Sequence, residues 1–241
     1  MHRFYIDRPE GGMALIRDAG QLHHLKDVLR LKVNESVTAF DGEGNEYTGD
    51  ITAIEKKQAV IKVTSSGPAR RSQFKIAIAC AVPKGERMDD VIDQLTQLGI
   101  ERIIPLMTER VVVRLDDGKK EARLKRWRKI AQSAAVQGRR NTLPVIEPVT
   151  VFFDAVKLFR DCDLKLIPHL EGERKLIRDV LAGCKPKSIV ALIGPEGDFT
   201  PGEVKLALEA GFIPVSLGDT VLRVATAAIA VGSYLKFALG E

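Results

Sequence analysis

The sequence predicts an α/β protein in two parts: a small β-barrel domain, then an α/β domain built on a parallel sheet. Three observations carry this. Apolar and polar residues alternate through "ESVTAFDGEGNEYTGDITAIEKKQAVIKVTSS" (residues 35–66), with turns at Asp41–Gly44 and near Lys56–Gln58, which is the pattern of short meandering strands. From Phe74 onward, continuous apolar runs alternate with stretches of helical spacing, as in sheets covered on both faces. Between them, "SSGPARRS" (Ser65–Ser72) has small residues, a proline and no periodicity, and reads as a linker.

In the first part, "DAGQLHHLKDVLRLK" reads as a helix with Leu22, Leu25, Val28 and Leu29 on one face. One helix with several short strands suits a small barrel. In the second part, "FKIAIACAV" reads as a strand buried on both faces. "ERMDDVIDQLTQLG" reads as a helix with Met88, Val91, Ile92, Leu95 and Leu98 inward and Gly99 as its C-terminal cap. Strand "RIIPL", a basic helix, a Phe-rich helix from about Thr150, strand "DLKLIPH", helix "ERKLIRDVLAG", strand "SIVALIG", helix "PGEVKLALEAG", strand "FIPVSL" and a helix near Thr226–Leu239 follow.

The 241 residues carry a formal net charge of +5, and its position is informative. Residues 119–140 hold 9 Lys/Arg against 1 Asp/Glu, while the rest of the chain is close to balanced. Lys119, Lys120, Arg123, Lys125, Arg126, Arg128, Lys129, Arg139 and Arg140 therefore form a dense basic stretch. It is either a solvated helix face or a footprint for a polyanion, and the scarcity of acids within it favours nucleic acid. Cys80, Cys162 and Cys184 are widely spaced, with no C-x-x-C pair, and the four histidines lack ligand spacing. The expectation is reduced thiols in a cytoplasmic protein with no metal. No apolar run approaches the roughly 18 residues of a membrane span, and the first residues lack a signal pattern.

Open α/β sheets bind ligands beyond the carboxyl ends of their strands. Three strand ends are prepared for this: "LIPHLEGE", "ALIGPEGDFTPGE" and "SLGDTVLRVAT". In the second, Thr200 precedes Pro201 and stands three residues before Glu203, a capping box with proline at the first helical position. That fixes Gly194–Phe199 as a tight loop whose backbone suits a flat ligand such as adenine. Gly194 and Gly197 allow conformations or approaches that a side chain would block. No dinucleotide or phosphate-loop glycine pattern is present. Arg223, alone in an apolar stretch, is either a structural ion-pair partner or a cation facing a phosphate or substrate oxygen.

"IGPEGDFTPGE" followed by "GFIPVSLGDTVLR" resembles the last two motifs of the RsmE-type 16S ribosomal RNA uridine-N3 methyltransferases of the SPOUT superfamily. "HRFYI", "HHLKDVLRLK", "DGEGNEYTG", "KGERMDDVIDQLTQLGI", "IPLMTERVVV" and "AAVQGRRNTLPVI" extend the likeness, in order, over nearly the whole chain. The resemblance implies a PUA-like RNA-binding barrel over residues 1–70 and a SPOUT methyltransferase domain over 73–241. It implies that S-adenosyl-L-methionine lies in a deep trefoil knot, held by Pro168, His169, Leu170, Gly194, Pro195, Glu196, Gly197, Leu217, Gly218, Leu222 and Arg223. It also implies a homodimer that methylates 16S rRNA in the assembled small ribosomal subunit, near the decoding site. Uracil N3 must lose a proton, so Arg139, Arg140 and Arg223 become candidate catalytic cations beside the base oxygens. A relative of another specificity, and a ribosome-binding protein without turnover, are the competing readings.

Four positions depart from the family's pattern. Asp198 stands where GPEGG has its last glycine, at what reads as a helix start, where an acid is favoured. Gln97, Val136 and Ala225 stand where glutamate is usual. Their joint replacement predicts that the three lie close together.

Overall fold

The computed structural model describes residues 1–68, 72–85, 87–111, 117–170 and 172–240. The chain forms two compact units, Met1–Arg71 with Gln132–Leu143, and Ser72–Ala131 with Pro144–Glu241.

The first unit is built on strands β1 (Arg3–Tyr5), β2 (Met13–Ile16), β3 (Ser36–Phe40), β4 (Asn45–Ile54) and β5 (Ala59–Pro68), in the order β1-β3-β4-β5-β2. Only β1 and β3 run parallel; the other pairs are antiparallel. The order ends at β1 and β2 without a ladder between them, so the expected barrel is open along that seam. Register shifts at Thr48/Gly49 and Ile51/Ala53 bend β4 around a core of Phe4, Ile6, Ile16, Leu25, Val37, Ile51 and Ile61.

Two local expectations are corrected here. Ser65–Pro68 continue β5, paired with Thr48 back to Asn45, because the long partner strand supplies backbone hydrogen bonds that outweigh weak strand propensity. Residues 69–71 of the expected linker lie outside the described residues. The single helix expected over "DAGQLHHLKDVLRLK" is α1 (Ala19–His23), which passes into a π-turn over His24–Val28. The Leu29 amide bonds five residues back to the His24 carbonyl at 2.8 Å. That wider turn keeps Leu22 and Leu25 inside and turns Val28 out, 58% exposed.

The turn between β3 and β4 is organised by Asp41, 6% exposed. Its carboxylate accepts from the Glu43 and Asn45 amides, the Asn45 side chain and the Tyr47 hydroxyl. Residues 139–143 close on the same turn. The Gly44 amide donates to Asn141 O at 3.0 Å, the Leu143 amide to Gly42 O at 2.9 Å, and the Arg3 guanidinium to Arg140 O at 3.0 Å. These bonds explain why Gln132–Leu143 belongs to the first unit.

The second unit carries an all-parallel sheet. Its elements are β6 (Lys75–Ala81), α2 (Arg87–Leu98), β7 (Arg102–Met107), α3 (Asp117–Gln137, which continues into the first unit), β8 (Val145–Ile146), β9 (Thr150–Val151) and α4 (Phe152–Leu158). They are followed by β10 (Leu164–Pro168), β11 (Lys175–Leu176), α5 (Ile177–Ala182), β12 (Ser188–Ile193), α6 (Pro201–Glu209), β13 (Ile213–Ser216) and α7 (Val224–Ala238). The strand order is β11-β13-β10-β12-β6-β7-β8, with β9 also on β7. Lys175 and Leu176, expected in a helix, instead pair with Val215 and Ser216 as an edge strand, so α5 starts later.

Strand alternation decides the two cores. Ile76, Ile78 and Cys80 of β6 and Ile189, Ala191 and Ile193 of β12 face α2, α7 and Trp127 of α3. Ala77, Ala79, Val190 and Leu192 face Phe152, Phe159, Phe199 and Phe212 beside α4 and α6. Both faces are covered, as the continuous apolar runs required. Gly99 caps α2 at φ +81°, as expected. The helix α7 runs beside α2 in the same direction, because a Cβ on Gly232 would meet Leu95 and Ile100, and Lys236 reaches Glu101 at 3.5 Å. Ala225 lies seven residues before Gly232, ~10 Å back along the axis. Gln97, at the far end of α2, is exposed and donates to Asp93 at 2.6 Å. Gln97 and Ala225 thus sit at opposite ends of the helix pair, which removes the expected cluster within one chain. Val136 belongs to the first unit.

Candidate functional site

The three strand ends marked in the sequence meet at one cavity. It opens beyond the carboxyl ends of β10, β12 and β13, where α/β sheets place ligands. Pro168, His169 and Leu170 line it from the first loop; Gly194, Pro195 and Glu196 from the second; Leu217, Gly218 and Leu222 from the third. Of the residues expected to hold a cofactor, Gly197 and Arg223 do not line it.

The second loop is held by several independent contacts. The Asp198 amide donates to Pro195 O at 2.9 Å, closing a turn. The capping box forms: Thr200 Oγ1 accepts from the Glu203 amide at 3.3 Å and Glu203 Oε2 from the Thr200 amide at 2.9 Å. Glu203 is buried, and its other oxygen accepts from the Glu109 amide at 3.0 Å. The Arg110 guanidinium donates to the Gly197 and Phe199 carbonyls. A Cβ on Gly194 would sit 3.1 Å from the Phe199 ring, so glycine there permits a close approach. At Gly197 a Cβ would meet only Arg110 Cδ at 3.6 Å, an ordinary contact.

The residue in the left-handed region is Asp198, at φ +60°. Its carboxylate was expected to favour a helix start, but the helix is capped by Thr200 and Asp198 faces the first loop. Oδ2 accepts from the Leu170 amide at 3.0 Å and lies 2.8 Å from His169 Nδ1; Oδ1 accepts from the Phe199 amide at 2.8 Å. Both side chains are 14% exposed. The Asp198–His169 approach is misaligned, and the buried His169 Nδ1 has no hydrogen-bond partner. A polar group entering the cavity would supply one. Arg174 reaches the His169 carbonyl at 3.2 Å. Ile193, Leu217, Leu222 and Ala227 form an apolar wall opposite. An apolar wall, a few converging polar groups and exposed loop backbone are what a small-molecule cavity needs.

Arg223 is the N-cap residue of α7 and is exposed, beside Leu222. No carboxylate lies within ion-pair distance of it among the described residues, so the ion-pair reading finds no partner. Arg139, at φ +53°, and Arg140, which donates to Thr142 Oγ1 at 3.1 Å, belong to the first unit, whereas Arg223 belongs to the second. Along α3, Lys119, Lys125, Arg126, Arg128 and Lys129 are exposed; Lys120 and Arg123 are half-buried. Lys125 pairs with Glu121 at 2.7 Å and Arg126 with Asp89 at 2.6 Å.

Sequence reading missed Asp198, Arg110 and Arg174 as supports of the site, along with Ile193 and Ala227 in its walls, while Thr220 and Val221 line it from within the expected third loop. Arg110 lay within a quoted motif, "IPLMTERVVV", but nothing in its spacing points across to Gly197. Among the described residues there is no group of three potential metal ligands and no helix long and apolar enough to cross a membrane.

Comparison with known proteins defines the class first. Residues 70–236 match a family described as an RNA methyltransferase domain, and residues 16–64 match an RNA methyltransferase PUA domain. The ribosomal RNA small subunit methyltransferase E of Rickettsia conorii is 31% identical over 231 residues, covering 95% of this chain and 92% of its own. A putative methyltransferase of Legionella pneumophila, solved with bound S-adenosylmethionine, superposes with a TM-score of 0.89 at 34% identity, covering 98% and 97% of the two chains. The ribosomal RNA small subunit methyltransferase E of Neisseria gonorrhoeae, bound to S-adenosylmethionine, gives 0.86 at 31% identity, covering 99% and 98%. The chain belongs to the ribosomal RNA small subunit methyltransferase E family.

Proposed function

We propose that this protein transfers a methyl group from S-adenosylmethionine to N3 of one uridine of 16S rRNA, in the assembled small subunit near the decoding site. It acts in the cytoplasm as a homodimer, and the three cavity loops form a SPOUT-type trefoil knot. The observation that carries the reading is the cavity itself, where three strand-end loops converge beyond the carboxyl ends of β10, β12 and β13. Two relatives of this fold, the Legionella and Neisseria proteins, hold S-adenosylmethionine.

Pro168–Leu170, Gly194–Glu196, Leu217, Gly218 and Leu222 would hold the donor, with the flat base read by loop backbone and packed on Leu217 and Leu222. When bound, the sulfonium supplies an already activated methyl group. The protein's task is then alignment, worth up to about 7–11 kcal/mol in ideal cases. N3 lies on the pairing edge of uracil, so the base must be unpaired or flipped to reach the site. Arg223 would stabilise the negative charge left on the base oxygens, and Arg139 and Arg140 would meet the RNA. The basic face of α3 and the PUA domain bind RNA. Tyr234 and Phe237, 41% and 72% exposed on α7, supply apolar surface for the partner protomer.

The test is methyl transfer to small subunits from cells that lack their own enzyme, followed by nucleoside analysis. N3-methyluridine is the expected product. A ribose 2′-O-methyl product, or none, rejects the reading.

A further inference from the structure

We propose that Asp198 is a positioning residue of the cofactor cavity, whose carboxylate ties the 194–199 loop to the 168–170 loop and so sets donor affinity. The proposal rests on the cofactor reading above. Asp198 holds φ +60°, a conformation that glycine adopts without cost and aspartate tolerates. A side chain kept there must recover that cost through its contacts, and the contacts point across the cavity. Oδ2 takes the Leu170 amide at 3.0 Å and stands 2.8 Å from His169 Nδ1, while Oδ1 takes the next amide, Phe199, at 2.8 Å. The Asp198 carboxylate also rests against Gly194, where a Cβ would lie 3.4 Å from Oδ1.

His169, Leu170, Gly194 and Asp198 all line the cavity. One carboxylate therefore fixes the spacing of two of its three walls and the placement of the His169 ring. Charge-assisted bonds of this kind are about twice as strong as neutral ones. With the carboxylate gone, the fold keeps its turn through the Asp198 amide to Pro195 carbonyl bond, but the two loops are no longer tied.

The experiment compares the wild type with Asp198→Gly and Asp198→Asn. It uses calorimetric titration with S-adenosylmethionine, steady-state methylation of small subunits and melting of the ligand-free proteins. Glycine fits φ +60° and removes every side-chain contact. Asparagine keeps one acceptor oxygen and loses the charge. The expected result is an about ten-fold rise in Kd and in KM for the donor with Asp198→Gly, and a smaller rise with Asp198→Asn. Turnover at saturating donor stays within about two-fold, since a lost tie between the loops is made good once the donor is bound. Unchanged donor affinity in both variants overturns the proposal. So does a parallel loss of kcat, donor affinity and ligand-free melting temperature in both, which marks a merely structural role. Wild type that binds no donor refutes the function proposed above, and this proposal with it; the other two outcomes refute this proposal alone.

Discussion

The Trp127 indole N–H donates to Asp89 Oδ1 at 3.1 Å, while Arg126 takes the other carboxylate oxygen at 2.6 Å. Trp127 is 1% exposed, so its ring anchors α3 to α2 from within the core. Trp127→Ala should cost about 3–5 kcal/mol in urea unfolding, as for large core truncations. Trp127→Phe keeps most of the apolar volume and should cost less than half of that.

This pairing also divides the basic helix. Arg126 is committed to Asp89, so its reversal would break a structural contact, whereas Arg128 and Lys129 are exposed. Arg128→Glu with Lys129→Glu should weaken RNA binding and reduce the slope of log K against log salt by ~0.7–0.9 for each lost phosphate contact. Affinity for S-adenosylmethionine should be unchanged. Loss of donor affinity in calorimetry would show that this part of α3 shapes the cavity and is no RNA footprint.

The sequence made the sheet legible because both faces of each central strand are buried, which leaves runs such as "FKIAIACAV" without alternation. It made the helix start at Thr200 legible because a capping box is local. What stayed hidden depends on partners far along the chain. Val28 turns outward through one i→i+5 bond that no periodicity shows. Lys175 and Leu176 are strand only because Val215 and Ser216 lie beside them. The three cavity loops were found as strand ends, but Asp198 looked like a residue at a helix start. Its left-handed backbone and its reach to His169 are set by the first loop, 28 residues away from Leu170 in sequence.

Thr200 and Glu203 should differ in cost. Thr200→Ala removes one cap acceptor and should destabilise by about 1 kcal/mol. Glu203→Ala strands the Thr200 and Glu109 amides, which its two oxygens accept in a buried setting, and each orphaned group costs about 1–3 kcal/mol. Chemical denaturation should therefore rank Glu203→Ala well below Thr200→Ala. Equal losses would mean that water replaces the Glu109 contact.

The three cysteines should separate by reactivity. Burial pushes the Cys80 thiol up to about 12 and also raises Cys162, which is half-buried, while Cys184 is exposed. The thiolate is the reacting form. At about pH 8 an aromatic disulfide reagent should label one thiol quickly in the native protein, and all three after unfolding. Cys184→Ser should remove the fast phase; a fast phase that persists would place Cys80 or Cys162 in an open site.

Acid should weaken the first unit through Asp41. Burial alone would raise its carboxyl, but hydrogen bonds from the Asn45 side chain, the Glu43 and Asn45 amides and the Tyr47 hydroxyl outweigh it and hold the folded value below 3.8. A lowered folded value means the ionised form is favoured by folding. Its contribution is therefore complete above the unfolded value and fades as pH falls through the folded one. Asp41→Asn should lower stability near pH 6, where the charge is at work, and narrow the gap to the wild type near pH 3. Unfolding of the two proteins at both pH values measures this. A gap that stays constant, or widens in acid, would mean that the turn depends on the shape of Asp41 and owes nothing to its charge.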